Sequence, residues 1–311
     1  MDDFLPLLLA RNDGVVSGRE LTECGLDGHT VRTLLRRGDL VRVRSGAFVG
    51  RDAWSVADAA GRHVLSARAI TRRLEGYAVS HVTGVAMWGL PVLAEDLGPV
   101  DVCHIGHGQS RSAGRLRVHP AVPADAVVRR RGVSVVRAEV AVLQTAQQSL
   151  RAGLVAADGA LRQGLPRERL VAETSRRRYG ARASLVLALA SALSESPGES
   201  WTRLVLTGLG IEAEQQAEIR GPDGRFVARV DFLVRGESLV IEFDGAMKYD
   251  GLEGRRALVT EKRREDELRS LGYRVVRLTW ADLADPGRVL ALLRRGVLQR
   301  TSRPSAYGSA S

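Results

Sequence analysis

The chain has little of what holds small secreted folds together and little of what stacks on bases. Cys24 and Cys103 are the only cysteines in 311 residues. They show no paired spacing, so neither a disulfide framework nor a cysteine zinc site is expected. Aromatic residues make up 5% of the chain, too few for a surface built to stack single-stranded bases. No apolar run is long enough to span a bilayer, and the start, Met1-Asp2-Asp3-Phe4-Leu5-Pro6-Leu7-Leu8-Leu9, is acidic and unlike a secretory signal. A cytoplasmic protein with no membrane partner is expected. No Gly-rich phosphate loop, internal repeat or Ser/His/Asp order stands out. Acid is also in deficit: 36 Asp and Glu stand against 46 Lys and Arg, a formal charge of +10, which suits a polyanionic partner. What is present is a hydrophobic fraction of 44%, ample for a core. The length suits two or three domains.

The first fifty residues have the pattern of a winged helix-turn-helix. Ser17-Gly18-Arg19-Glu20 is a capping-box signature opening a short helix through Glu23, and Cys24-Gly25-Leu26 breaks it. Asp27 can cap a second helix from His29 to Arg37, stopped by Gly38. Val31, Leu34 and Leu35 form its buried face, leaving His29, Arg32, Thr33, Arg36 and Arg37 outward. Leu40-Val41-Arg42-Val43, a turn at Arg44-Ser45-Gly46, and Ala47-Phe48-Val49 make a hairpin wing. Such an arrangement places its second helix in the major groove. Arg32, Thr33, Arg36 and Arg37, with Arg42 and Arg44 on the wing, are the candidate contacts to double-stranded DNA.

The middle carries less chemistry. Helices are predicted over Ser55–Leu74, Ser80–Trp88, Glu139–Arg151, Gly153–Gln163, Glu168–Glu173 and Ala181–Leu193. Strands are predicted at Val100–Ile105, Arg115–Val118 and Val133–Val136. Cys103, His104 and His107 lack a fourth ligand and read as packing or solvent-exposed residues. Arg129-Arg130-Arg131 reads as a solvated charge run, and His81 as the first residue of a helix.

With the wing ending Arg44-Ser45-Gly46-Ala47-Phe48 and the run Val79-Ser80-His81-Val82-Thr83-Gly84-Val85-Ala86-Met87-Trp88-Gly89-Leu90, residues 1–175 resemble the AbiEi family of type IV toxin–antitoxin antitoxins. The resemblance implies a transcriptional regulator whose winged helix reads an operator, with a cognate toxin as partner. Dimerisation is left open, since no heptad or self-complementary patch is visible.

The last third holds the sharpest chemical pattern. Val227–Val234 and Leu239–Gly245 are apolar strands separated by Arg235-Gly236-Glu237-Ser238, which suits a two-residue turn with glycine first. That turn sets Arg235 opposite Ser238, Asp231 opposite Glu242 and Arg229 opposite Asp244. Opposed side chains share a face about 5 Å apart. Two carboxylates so placed repel each other, and a hard divalent cation would turn the repulsion into binding. Ser196, Pro197 and Glu199 open a capped helix before this hairpin. A charged helix over Arg255–Leu271, a strand at Tyr273–Leu278 and a helix over Asp282–Arg295 come after it. Lys262 with Asp266 and Glu265 with Arg269 have the spacing of helix-surface pairs.

This order, with Pro-Gly-Glu-Ser at 197–200, Val-Asp-Phe at 230–232, Glu-Phe-Asp-Gly at 242–245, Glu-Lys-Arg-Arg-Glu-Asp-Glu-Leu at 261–268 and Gly-Tyr-Arg-Val-Val-Arg-Leu-Thr-Trp at 272–280, resembles the PD-(D/E)XK nuclease superfamily over 195–296, and within it the very-short-patch-repair-like endonuclease domains. The resemblance implies that Asp231 and Glu242, assisted by Glu199, bind Mg²⁺ or Mn²⁺. The superfamily's lysine would stand where Asp244 stands, which leaves Lys248 and Lys262 as candidate cations beside the attacking water.

The fold class expected is thus a multidomain α+β protein. It has a winged helix at 1–50, an AbiEi-like α/β domain at 51–180, a connecting helix at 181–194, a restriction-endonuclease-like domain with a mixed sheet at 195–296, and a flexible tail at 297–311. Two functions stay open: a DNA-binding protein with an Mg²⁺-dependent endonuclease domain, or a non-catalytic regulator and antitoxin carrying a degenerate nuclease fold.

Overall fold

A computed structural model describes residues 4–72, 74–108, 111–245 and 262–298. The chain divides into two compact units, Met1–Ala190 and Ser191–Ser311.

The first unit begins with α1 (Phe4–Arg11), β1 (Val15–Ser17), α2 (Gly18–Glu23), α3 (Gly28–Arg37) and the hairpin β2 (Leu40–Arg44) and β3 (Ala47–Gly50). The strands form an antiparallel sheet in the order β1-β3-β2. Local hydrogen bonds explain the helix ends. Ser17 and Glu20 close a reciprocal capping box on α2, Asp27 accepts from Thr30 N at 2.8 Å on α3, and Gly38 ends α3 in the left-handed conformation. Leu5, Val16, Leu21, Leu26, Leu40 and Phe48 are buried beneath these helices, with Val31, Leu34 and Leu35 of α3 packed on them.

The expected long helix at 55–74 is two helices, α4 (Arg51–Val56) and α5 (Ala59–Thr71). The break falls at Asp58, whose carboxylate accepts from Gly61 N at 2.7 Å and so restarts the helix. Beyond them lie β4 (Tyr77–Val79), α6 (His81–Met87), β5 (Val100–Ile105), β6 (Arg111–Ala113), β7 (Leu116–Val122), β8 (Val127–Arg130) and β9 (Val133–Val136). They build a mixed six-stranded sheet ordered β6-β7-β5-β4-β9-β8, with β5/β7 and β4/β9 parallel. Arg129 and Arg130 belong to edge strand β8, which the charge run did not suggest. Arg130 lies over the Trp88 ring at 4.6 Å, so it covers an aromatic face and is not simply solvated. Helices α7 (Ala138–Gln148), α8 (Leu150–Arg162), α9 (Arg167–Arg176) and α10 (Ala181–Leu189) complete the unit. One apolar cluster joins Val15, Val43 and Val49 of the small sheet to Ala67 and Ile70 of α5 and Val100, Val102, Leu116 and Val118 of the large one. The first fifty residues therefore share a core with the rest of this unit. Likewise α10, expected to connect domains, buries Ala183 and Val186 completely within this unit.

In the second unit α11 (Pro197–Gly208) precedes β10 (Ala213–Arg220), β11 (Phe226–Val234) and β12 (Leu239–Phe243). Then come α12 (262–270), β13 (Arg274–Leu278), α13 (Trp280–Leu283) and α14 (Pro286–Leu298). The sheet is mixed, ordered β10-β11-β12-β13 with only β12/β13 parallel. Leu239 and Ile241 join Leu278, Leu283, Val289 and Leu293 in one cluster, while Val240, between them in the strand, joins Leu268 of α12 in another. Both sheet faces are thus covered, as strand alternation requires. The final helix expected at Asp282–Arg295 is split. A capping box between Thr279 and Asp282 starts α13, and α14 begins at Pro286.

Candidate nucleic-acid interface and carboxylate site

Helix α3 presents a polar face whose arginines form no ion pair among the described residues. None of its residues is fully buried, and its last turn holds Arg36 and Arg37. Arg32, Arg36, Arg37 and Arg42 are exposed; Thr33 and Arg44 are half-buried. Among the described residues none of these five arginines forms an ion pair. The face is also pre-ordered: Thr33 donates to the His29 carbonyl at 3.2 Å and receives from Arg36 Nη2 at 3.0 Å. On the hairpin, Arg42 lies 5.8 Å over the Phe48 ring. Glu20, the capping acid of α2, takes a bond from Arg72 Nε at 2.9 Å, which ties α2 to the end of α5. Burial pushes the Glu20 carboxyl upward, but the Ser17 and Arg72 bonds outweigh it and hold it below the usual range.

The second site lies in the four-stranded sheet. The observed pairs Phe232–Ile241 and Leu233–Val240 have the expected register, which carried one step further sets Asp231 against Glu242. The turn differs in detail: Glu237 N donates to the Val234 carbonyl at 3.2 Å, which puts Gly236, at φ +76, third in the turn and not second. Asp231 accepts from Phe243 N at 2.9 Å. Glu242 is 8% exposed and Glu199 6%. Burial, with Glu199 and Glu242 adding repulsion, pushes the Asp231 carboxyl up to about 6, against the opposing Phe243 bond and Arg264. Asp231 therefore feels the charge of both neighbouring acids. Glu199 reaches the site because α11 approaches β12 closely. A Cβ on Gly198 would stand 2.0 Å from the Phe243 ring, so only glycine fits there. Trp280 packs edge-on to Phe243 at 4.6 Å, and its ring lies 6.0 Å from Trp201.

Two residues that the sequence pattern did not reveal complete this site. Gln216 sits opposite Asp231 in the β10–β11 register, has φ +54, and donates from Nε2 to Glu199 at 2.9 Å. Its left-handed backbone coincides with a change of face. Ala213 and Phe232 belong to one core cluster, whereas Ala217 and Val230, which a regular strand would put on the same face as Ala213 and Phe232, belong to the other. Arg264 of α12 donates to Glu242 Oε1 at 2.6 Å, and Arg277 Nε lies 3.9 Å from Oε2 of the same acid. Gln216 lies in no motif, and Arg264, though inside the run Glu-Lys-Arg-Arg-Glu-Asp-Glu-Leu at 261–268, gives no local sign that it turns toward Glu242, since both act through contacts distant in sequence.

The donor set suits a hard cation in part. Asp231 and Glu242 supply carboxylate oxygens of the kind Mg²⁺ takes, one or two at a time, beside water. Glu199 has both oxygens engaged, by Ser196 Oγ at 2.8 Å, Glu195 N at 2.9 Å and Gln216. Among the described residues no group of three His, Cys, Asp or Glu is arranged to hold a metal ion. Asp244 is exposed, its backbone N–H bonded to the Leu278 carbonyl at 2.8 Å. Arg229, expected opposite it, bonds Glu195 at 2.7 Å. Lys262 is exposed at the start of α12 and makes no ion pair among the described residues. Lys248 lies outside the described residues. The helix-surface pairing of Glu265 with Arg269 is present, and Glu265 also holds Arg277 at 2.7 Å.

The first unit hides a further polar network. Asp101, 1% exposed, accepts from His119 Nε2 at 2.7 Å, lies 3.5 Å from Arg117 Nη1, and meets Thr83, whose hydroxyl also bonds His63 at 2.8 Å. His81 stacks on His119 at 3.6 Å and bonds Ser80 at 3.0 Å. Burial, with repulsion from His119 and Arg117, pushes His81 down to about 3, so its ring is neutral at pH 7. His81 is thus more than a helix-opening residue, and at φ +51 its backbone is strained.

Residues 3–49, which carry the basic helix, match a family model described as a transcriptional regulator, AbiEi antitoxin. No curated protein matches this chain. One solved structure that does match is that of the RV2827C protein from Mycobacterium tuberculosis, at 18% identity, with 69% of this chain and 86% of that chain covered and a TM-score of 0.35. No described helix is long and apolar enough to cross a membrane.

Proposed function

We propose that the chain is a DNA-binding transcriptional regulator of the AbiEi antitoxin kind, with α2, α3 and the β2–β3 hairpin acting as a winged helix. The observation that carries this is the face of α3, where Arg32, Arg36 and Arg37 stand exposed without ion pairs among the described residues. A protein surface that leaves several ordered arginines uncompensated suits a polyanion. Under this reading α3 enters the major groove, where exposed arginines reach guanine edges and phosphates. Arg42 and Arg44 on the wing then meet the neighbouring backbone. An antitoxin role adds a cognate toxin as protein partner. Footprinting on the DNA upstream of the chain's own gene tests the reading. A protected site that is lost with Arg36→Ala is the expected result, with affinity falling about tenfold to a hundredfold. Uniform weak binding along the whole fragment would argue against an operator.

Asp231 favours a second reading for the second unit. A carboxyl pushed up to about 6 between two other acids is the environment of a cation site or of one that has lost its cation. Under this reading the unit is endonuclease-like, Asp231 and Glu242 hold Mg²⁺ or Mn²⁺, and Glu199, fixed by Ser196 and Gln216, stands beside them. The bound cation would polarise a phosphoryl oxygen and lower the pKa of an attacking water. Isothermal titration of Mn²⁺ into wild type and Asp231→Asn tests it: heat that vanishes in the variant supports a cation site, and its absence in both leaves a regulator with a retired nuclease scaffold.

A further inference from the structure

The carboxylates of the second unit are not bare, and what neutralises them comes from a different element. Glu242 stands on β12 in the sheet. The guanidinium that meets it, Arg264 Nη2 at 2.6 Å, stands on α12. The bond is short and charge-assisted, with side-chain exposures of 28% for Arg264 and 11% for Glu242. The same guanidinium also donates from Nη1 to the Arg229 carbonyl, at the longer distance of 3.3 Å. Helix α12 itself is fixed elsewhere, through Leu268, which is 1% exposed in the second core cluster. The Arg264 head group can therefore move off Glu242 while α12 keeps its place in the core. Arg277 is less able to replace it, being 3.9 Å from Glu242 and already held by Glu265 at 2.7 Å.

We infer that Arg264 is an exchangeable counter-ion, holding Glu242 in the ligand-free chain and released to a nucleic-acid phosphate when a divalent cation takes up the same carboxylate. The inference rests on reading Asp231 and Glu242 as a cation site, and it adds what that reading lacks, a cation of the chain's own beside the phosphate. The physical reasoning is one of competition. Glu242 Oε1 cannot be shared at full strength between a guanidinium and a metal ion, so one displaces the other. A guanidinium displaced beside a bound cation faces whatever oxyanion that cation draws in, and its planar fork matches phosphate in bidentate fashion. Arg264 is thus a phosphate-binding residue that Glu242 holds in the ligand-free chain, and the arrangement makes cation and phosphodiester binding mutually supportive.

The consequence has opposite signs for the two ligands. Replacing Arg264 releases Glu242 from its guanidinium and tightens cation binding, while it weakens phosphate binding in the cation's presence. A merely structural arginine would weaken both. The experiment is isothermal titration of Mn²⁺ alone into the full chain as wild type, Arg264→Gln and Arg264→Lys, with each variant's thermal transition recorded. Anisotropy of a short labelled duplex with and without Mn²⁺ is measured next. Arg264→Gln is expected to bind Mn²⁺ about tenfold more tightly than wild type, with Arg264→Lys between them. The Mn²⁺-dependent gain in duplex affinity is expected to shrink in Arg264→Gln and persist in Arg264→Lys. Unchanged or weaker Mn²⁺ binding by a folded Arg264→Gln, with wild type binding, would overturn the exchange and leave the cation site standing. No Mn²⁺ binding by any of the three proteins would overturn the cation site and the exchange together. Should Arg264→Gln not fold, the Arg264→Lys affinity decides alone, since a looser latch must still bind Mn²⁺ more tightly than wild type.

Discussion

Both units bury ionisable side chains on a β-sheet, but they treat them in opposite ways. Around Asp101 the first unit gathers complementary groups: an imidazole at 2.7 Å, a guanidinium at 3.5 Å and a hydroxyl that also satisfies His63. Burial pushes two of its imidazoles down, His63 and, further, His81, which is relieved by staying neutral. Around Asp231 the second unit gathers like charges, Glu199 and Glu242, and answers them with Arg264 from a helix and an amide on a left-handed backbone. A completed network of this first kind holds a fold together. A crowded one costs stability in the free chain, and such costs persist where a ligand offsets them.

The contrast is sharpest for removal of one carboxylate from each unit. Asp101→Ala leaves His119 and Arg117 facing a vacated, buried position, and is expected to destabilise the chain by about 3–5 kcal/mol. Differential scanning calorimetry would show this as a large downward shift of the transition. Asp231→Asn is expected to do the reverse in metal-free buffer. The Asp231 pKa is raised in the folded state, so between pH 4 and 6 the folded chain holds a proton that the unfolded chain has released, and stability falls across that window as pH rises. The variant, which cannot ionise, gains roughly 1–2 kcal/mol at pH 8 after allowance for solvent screening, and nothing below pH 4. Urea unfolding at the two pH values checks it; a loss of stability at pH 8 would place Asp231 with Asp101 as a structural acid. The smallest effect concerns Gln216. In an ordinary strand glycine is worse than alanine, but at φ +54 the order should reverse, with Gln216→Gly more stable than Gln216→Ala by about 1 kcal/mol. Equal midpoints for the two variants would mean that the strand relaxes and that the strain is not stored there.

Range decides how much of this was legible in the sequence. Ser17 with Glu20, Asp27 and Gly38 act within four residues of their own positions, and the helix ends they imply are present. The register that opposes Asp231 and Glu242 was legible too, because four loop residues between two apolar strands fix it even though the turn closes on Val234 and Glu237. The break at Asp58 was masked by the apolar and alanine-rich run around it, where no glycine or proline stands at the junction. Gln216, Arg264 and the His81–His119 stack could not be found in this way. Their partners lie 17, 22 and 38 residues away, and polar residues in strands or charged helices give no local sign of which one turns inward.

DNA reading by α3 is tested most directly by fluorescence anisotropy of the upstream fragment across a salt series, comparing wild type with a variant carrying Arg32→Ala, Arg36→Ala and Arg37→Ala together. Removing one arginine–phosphate interaction should reduce the slope of log affinity against log salt by about 1, so a fall of roughly two to three, with loss of preference for the fragment over unrelated DNA, is the predicted result. A variant that binds the fragment with unchanged affinity and slope would contradict the assignment of α3 as the DNA-reading helix.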